Sequence, residues 1–304
     1  MPFIHDLSYL CYKMKIAMTT AEKFEKLKAI LQEMGKVVVA YSGGVDSAFL
    51  LKAAVIALGR EQVKAVLAIS ASYPSREYQK ALDTAREIGI LVDIIHTKEA
   101  DDPRFANNPV DRCYYCKHEL FTRIAEYIAS GDFNNMIDGS NMDDLSDHRP
   151  GKKALQEKKI RSPLQEAELS KAEIRELSHE LGLPTWNKDA LACLSSRFPY
   201  GENINLQKLK MVDEAENFLA DLGFRNIRAR HEKNALRIEV SAHQIALFAN
   251  EDLRLNVLRR MKEIGYQHVS VDLEGYRQGS LNEGVVKRPA GADSLRIDMQ
   301  RSIG

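Results

Sequence analysis

The run Ser42-Gly43-Gly44-Val45-Asp46-Ser47 carries the clearest chemistry in the chain. Two glycines let a backbone approach a phosphate closely, and a helix starting beside them offers N–H groups and positive potential to an anion. The hydroxyls of Ser42 and Ser47 add donors, and the Asp46 carboxylate can hold Mg²⁺ on a pyrophosphate. No Lys follows the glycines, so the turn is not the GxxxxGK[ST] phosphate loop, and it is not GxGxxG either. The second resource is sulfur, in Cys11, Cys113, Cys116 and Cys193. Residues 1–17 lack the apolar stretch and cleavage site of a signal peptide, so the protein is expected in the cytoplasm. In that reducing compartment the cysteines read as metal, cluster or catalytic thiols rather than disulfides.

These groups need a frame. Ahead of the glycines, Lys36–Tyr41 is a β-branched run of the kind buried on both faces, and a helix through Phe49, Leu50 and Leu51 follows them. Upstream, Thr19 and Glu22 have capping-box spacing, and Phe24, Leu27, Ile30, Leu31 and Met34 recur at helical spacing up to Gly35. Val63–Ser70 and Leu91–His96 read as strands with a helix over Ser75–Ile88 between them. A helix over 112–130 and a short strand over Asn135–Gly139 follow. This alternation predicts an α/β fold with a doubly wound parallel sheet. From about Gly201 the pattern becomes a helix (205–222), two strands (226–231 and 235–240), a helical region (243–264) and a strand (268–273). That is a smaller C-terminal α+β domain. The expected division is a leader over 1–18, a first domain over 19–200, the small domain over 201–282 and a tail over 283–304.

Composition narrows the class. A chain of 304 residues suffices for one sizeable domain and a smaller one. Lys+Arg and Asp+Glu both number 43, so no global charge draws the chain to nucleic acid or to an acidic membrane. No apolar run approaches the roughly 18 residues of a membrane span.

Set behind a buried strand, SGGVDS resembles the signature of the PP-loop family, whose members cleave ATP between its α- and β-phosphates and form adenylates. The resemblance implies that Ser42, Gly43, Gly44, Val45, Asp46 and Ser47 cradle Mg²⁺-ATP, with Asp46 catalytic, and that Ser70 lies near the adenine. Asp138-Gly139-Ser140-Asn141 resembles the family's later strand-end motif. The stretch from Ser162-Pro163-Leu164 to Arg175 resembles its P-L-x-E-x-x-L-x-K-x-E-I-R segment. Trp186-Asn187-Lys188 and then Cys193-Leu194-Ser195-Ser196-Arg197-Phe198-Pro199-Tyr200-Gly201 look like the LarE family of sulfur transferases, which build the nickel-pincer cofactor of lactate racemase. The likeness runs from about residue 20 to 282.

That resemblance implies a concrete reaction. A carboxylate of a pyridinium-3,5-biscarboxylic acid mononucleotide is adenylated and converted to a thiocarboxylate. In one branch of the family a cysteine gives up its own sulfur; in another, three cysteines hold a [4Fe–4S] cluster that relays external sulfide. Cys113, Cys116 and Cys193 match the three-cysteine pattern, since three thiolates leave one iron open. A zinc site completed by His118 or His148, and sacrifice of Cys193, remain as alternatives. Ser196, Arg228 and Arg230 are implied as the substrate's phosphate site. Two residues apart on a strand, the arginines share a face, and a guanidinium pair suits a phosphate. Glu239 is a candidate to orient Arg237 or touch the ribose. Homo-oligomers are implied as well.

Two further expectations concern Trp186, read as buried between the domains, and Arg149–Arg161, read as a solvated loop or a flap over the ATP phosphates. The rival enzyme is a PP-loop tRNA thiolase, disfavoured by charge neutrality and the want of an RNA-binding module. The non-enzymatic rival is a regulator that binds ATP without turnover, which leaves the cysteines without a task.

Overall fold

The computed structural model describes residues 18–129, 131–145, 151–189, 192–277 and 279–282; residues 1–17 and 283–304, with Cys11 and His148, lie outside them. Helix α1 (Thr20–Met34) begins at the expected capping box, with Thr19 and Glu22 satisfying each other's backbone N–H, and ends at Gly35 (φ 70°). Strand β1 (Val37–Ala40) follows, with Val37, Val38 and Val39 fully buried. Helix α2 (Val45–Leu58) is apolar round most of its circumference, so it sinks into the core through Ala48, Phe49, Leu50, Leu51, Ala53 and Ala54. The chain continues through β2 (Val63–Ile69), α3 (Ser75–Ile88), β3 (Val92–His96), the short α4 (Pro103–Ala106), α5 (Arg112–Ile128) and β4 (Asn135–Ile137). Helices α6 (Gly151–Glu157), α7 (Pro163–Glu166) and α8 (Lys171–Glu180) come next.

The four strands form one parallel sheet in the order β3-β2-β1-β4, with Val37 level with both Val63 and Asn135. The chain winds from β1 outward to β3 and then returns to set β4 on the other side of β1. Ligands of such sheets bind beyond the carboxyl ends of the strands where the winding reverses. The Ser42–Gly44 turn and the Asp138–Asn141 turn both open at that point.

The rest of the chain supplies α9 (Leu206–Asp221), β5 (Arg228–Glu232), β6 (Ala235–Glu239), α10 (Glu251–Ile264) and β7 (His268–Val271). Strands β5 and β6 are antiparallel and β7 pairs parallel to β6, giving a small mixed sheet. Its core gathers Leu209, Val212, Leu219, Leu236, Ile238 and Met261, and it also takes in Phe105, Leu194 and Phe198 from earlier in the chain. The CLSSRFPYG segment is thereby anchored in the second core.

Some expectations shift, each for a local reason. Asp138 leaves the β4 ladder because its carboxylate turns back to the Ser140 N–H and hydroxyl. The region 243–264 is two pieces, a 3₁₀ run over Ala242–Ala249 and α10, broken where Asn250 caps α10 through Leu253 N (2.9 Å). The basic stretch is neither loop nor flap over 151–157: α6 packs on α5, burying Ala154 and Leu155, the latter beside Phe121 and Ile124. Trp186 is 40% exposed and stands edge-on to His179, not buried between sheets.

Because Phe49 is fully buried between α1 and the sheet, truncation leaves a cavity the neighbours cannot fill. Phe49→Ala is expected to lower unfolding free energy by about 3–5 kcal/mol in urea titrations. A loss below about 1 kcal/mol would show that this core is not the close-packed one described.

Candidate active site

The phosphate turn is built by close approach. Gly43 sits at φ 71°, and a Cβ there would lie 2.5 Å from the Ala81 Cβ. Gly139, just past the end of β4, would put a Cβ 3.0 Å from Ser47 N. Glycine is therefore required on both sides of the turn. Gly44 caps α2 without a side-chain hydrogen bond, so the first-turn N–H groups are not covered by a capping group. Inside the turn Ser47 Oγ accepts from Ser42 N (3.2 Å) and lies 3.1 Å from Ser42 Oγ. Tyr73 OH donates to the Ser42 carbonyl (3.1 Å) and Lys188 Nζ to the Gly43 carbonyl (2.9 Å), fixing the turn from outside.

Asp46 projects from the first turn of α2. Its Oδ2 lies 2.5 Å from Lys171 Nζ, and its Oδ1 accepts from Asn141 Nδ2 (3.1 Å). A Mg²⁺ held by Asp46 must therefore share or displace the Lys171 ammonium, which is itself well placed for a phosphate oxygen. Asp138 accepts from Ser140 and Ser162 hydroxyls (2.6 Å each) and has Lys117 Nζ at 3.6 Å. Lys171, Lys188 and Lys117 were not singled out by residue type. Lys171 and Lys188 nevertheless lie in segments that carried the resemblance, and Lys117 directly follows Cys116.

A cavity of about 320 Å³ opens at the carboxyl ends of β1 and β2, lined among others by Ser42, Ser70, Glu99, Cys116, Lys117 and Cys193. It joins the phosphate turn, the expected adenine residue and two of the three thiols. Cys113, one helical turn before Cys116 on α5, is exposed. Burial first, then the charges of Glu99, Cys193 and Cys113, push the Cys116 thiol well above its ordinary value. Cys113 and Cys193 are thus each near enough to Cys116 to oppose its ionisation. Among the described residues no three His, Cys, Asp or Glu side chains form a ready ion-binding group; His148, a candidate fourth zinc ligand, lies outside them. His118 instead packs against Tyr114. Glu99, missed by sequence reasoning, is 3% exposed; Ser72 donates to one oxygen (2.8 Å) while the other meets no donor.

The expected phosphate-binding residues sit beside the Cys193 loop. Arg230 is buried and forms a two-pronged pair with Glu239 (2.8 Å each), while its remaining nitrogen donates to the Ser196 carbonyl (2.8 Å). Glu239 also receives Arg237 (3.0 Å), so it orients both arginines. Ser196 Oγ donates to the Cys193 carbonyl (2.9 Å), shaping the loop. Arg228 has no carboxylate partner among the described residues; its guanidinium lies 4.6 Å from the Tyr276 ring centre. Burial, and then the Arg197 charge, pull it below its ordinary value. Arg228 lines a cavity of about 230 Å³ that also contains Lys188, whereas Arg230 lines another of about 340 Å³ beside Tyr200. Arg197, paired with Glu216 (2.7 and 2.8 Å), lines both.

Comparison with known proteins agrees with this geometry. Residues 19–120 match the NAD synthase family model. An uncharacterised protein of Synechocystis sp. is 42% identical over 87% of this chain and 98% of its own length. A glutamine-dependent NAD(+) synthetase of Aquifex aeolicus matches at 44% identity over only 21% of this chain and 11% of its own. Pyridinium-3,5-bisthiocarboxylic acid mononucleotide synthase of Lactiplantibacillus plantarum is 38% identical over 88% of this chain and 97% of its own length. With that extent of identity, and with a phosphate turn lying at the sheet's switch point, the chain belongs to the LarE-type family of ATP-dependent sulfur transferases within the PP-loop proteins.

Proposed function

We propose that this protein uses ATP to adenylate a carboxylate of a pyridinium-3,5-biscarboxylic acid mononucleotide and then exchanges the adenylate for sulfur. The observation that carries the reading is the single cavity lined by Ser42, Ser70, Cys116 and Cys193. A substrate carboxylate oxygen attacks the α-phosphorus, the α–β bond breaks and pyrophosphate leaves. Hydrosulfide then attacks the acyl carbon, AMP departs with the carboxylate oxygen, and a thiocarboxylate and a proton remain. In the first step the uncapped α2 N-terminus, Lys171 and Lys188 stabilise charge growing on pyrophosphate, and Asp46 is the residue to hold Mg²⁺.

We assign Cys113, Cys116 and Cys193 to a [4Fe–4S] cluster. One observation supports the donor set. Cys116 and Cys193 line the same cavity, and Cys113 lies one helical turn from Cys116 on α5. When bound, such a cluster supplies an iron without a protein ligand that can hold sulfide. Assembly into homo-oligomers is part of the same proposal.

Asp46→Ala should fold but lose most AMP and pyrophosphate formation from Mg²⁺-ATP and substrate, read by product chromatography. ADP and phosphate as the main products from the unmodified chain would sink the adenylation reading. The thiols separate the sulfur chemistries. Anaerobic protein should carry about four irons per chain, and Ala at any of Cys113, Cys116 or Cys193 should cost both iron and multiple turnover. One product per chain with loss of H₂S mass from Cys193 would establish sacrifice instead.

The arginines should part company. Arg228→Ala should weaken mononucleotide binding by about 1.5–3 kcal/mol while leaving stability near normal, because no carboxylate loses a partner. Arg230→Ala should also destabilise the fold by about 3–5 kcal/mol, since Glu239 is 1% exposed and loses its two-pronged partner. Calorimetric titration and thermal unfolding read the two effects; equal stability of the two variants would contradict it.

A further inference from the structure

The three thiols come from two distant segments, so something must fix the start of α5 against the Cys193 loop. We propose that Asn108, clamped by Arg112, is the positioning residue that sets the Cys113/Cys116 pair against Cys193. Asn108 is fully buried at φ 51°, a backbone region that asparagine tolerates better than most residues. Its amide nitrogen donates to the carbonyls of Pro199 (2.7 Å) and Phe198 (3.4 Å), and its own carbonyl accepts from Gly201 N (2.9 Å). Its side-chain oxygen accepts from Arg112 Nη1. Both hydrogens and the oxygen of the amide are therefore used, and all but one of these contacts reach the CLSSRFPYG loop.

Arg112 closes the clamp from the other end. It is the first residue of α5 and directly precedes Cys113. It is 3% exposed, its Nε meets no acceptor, and no carboxylate pairs with it among the described residues. Its charge is met by the Asn108 oxygen and by the face of Tyr200, 5.1 Å from the ring centre. A buried guanidinium without a counter-ion is costly, and its geometry explains why it is kept: one side chain touches both thiol-bearing segments. On the other flank, Leu194 N donates to the Ser72 carbonyl (2.8 Å), so the loop is held against β2 as well. Only asparagine fits position 108. Glycine keeps the backbone but has no amide, and aspartate keeps the acceptor but loses both donors.

The functional meaning of this clamp rests on the three-thiol reading; its geometry does not, and the test keeps them apart. The reduced full chain is treated with dibromobimane, which bridges thiols only when they are neighbours, and bridged peptides are mapped by mass spectrometry. The Cys113–Cys116 bridge within α5 is the internal standard. In Asn108→Gly and Asn108→Asp the Cys116–Cys193 bridge should form about 10-fold more slowly while the standard is unchanged. Tyr200→Leu, which keeps apolar bulk but removes the aromatic face, should shift the rate in the same direction. ATP affinity should stay within about twofold, because the phosphate turn shares no contact with the clamp. Multiple-turnover sulfur transfer should fall about 10- to 100-fold. Wild-type bridging rates in folded Asn108→Gly, or in Tyr200→Leu should the former not fold, overturn the proposal, as does failure of the unmodified chain to bridge Cys116 to Cys193. Slowed bridging in a chain that makes no thiocarboxylate leaves the clamp standing and removes the proposed function.

Discussion

The phosphate turn depends on empty space more than on any side chain. Gly43 lets the turn stand against α3, where a Cβ would lie 2.5 Å from the Ala81 Cβ, and Gly139 lets the end of β4 stand against α2's first turn, where a Cβ would lie 3.0 Å from Ser47 N. The helix dipole and its uncovered N–H groups can reach a phosphate only because that gap is kept. The surrounding groups serve the same end. Tyr73 and Lys188 hold the turn by its carbonyls. Cations then collect around it from three segments remote in sequence, as Lys117, Lys171 and Lys188.

Much of this was legible in the sequence because it is local. The β1–turn–α2 unit, the capping box of α1 and the paired cysteines each lie within a few residues. The doubly wound parallel sheet was legible too, since alternating strands and helices admit few windings. What escaped is what depends on partners far apart. A lysine's type does not reveal that Lys171 will face Asp46 across more than a hundred residues, nor does Glu99 announce that one of its oxygens will be buried without a donor. Trp186 misled for the opposite reason: a lone tryptophan suggests burial, yet contact with His179 on the surface is enough to seat it.

The thiol end of the cavity is governed by desolvation. Cys116 is pushed away from its thiolate by burial and then by the negative charge of Glu99. Cys193, on the same cavity, is exposed. The asymmetry places a more sheltered sulfur and an accessible one on one cavity.

The small sheet solves a related problem with cations. Three arginines crowd beside the Cys193 loop, and like charges at that distance destabilise unless neutralised. Glu216 takes Arg197 and Glu239 takes Arg230, each through two parallel hydrogen bonds. Among the described residues Arg228 is left with the Tyr276 ring and hydroxyl and a backbone carbonyl, and its charge is correspondingly disfavoured by burial and by Arg197. On the proposed reading, a substrate phosphate would supply the counter-charge that these residues do not. The paired arginines then act as scaffold: Arg230 holds the Ser196 carbonyl and Arg197 the Cys193 carbonyl, joining the loop that bears the thiol to the sheet that faces the substrate.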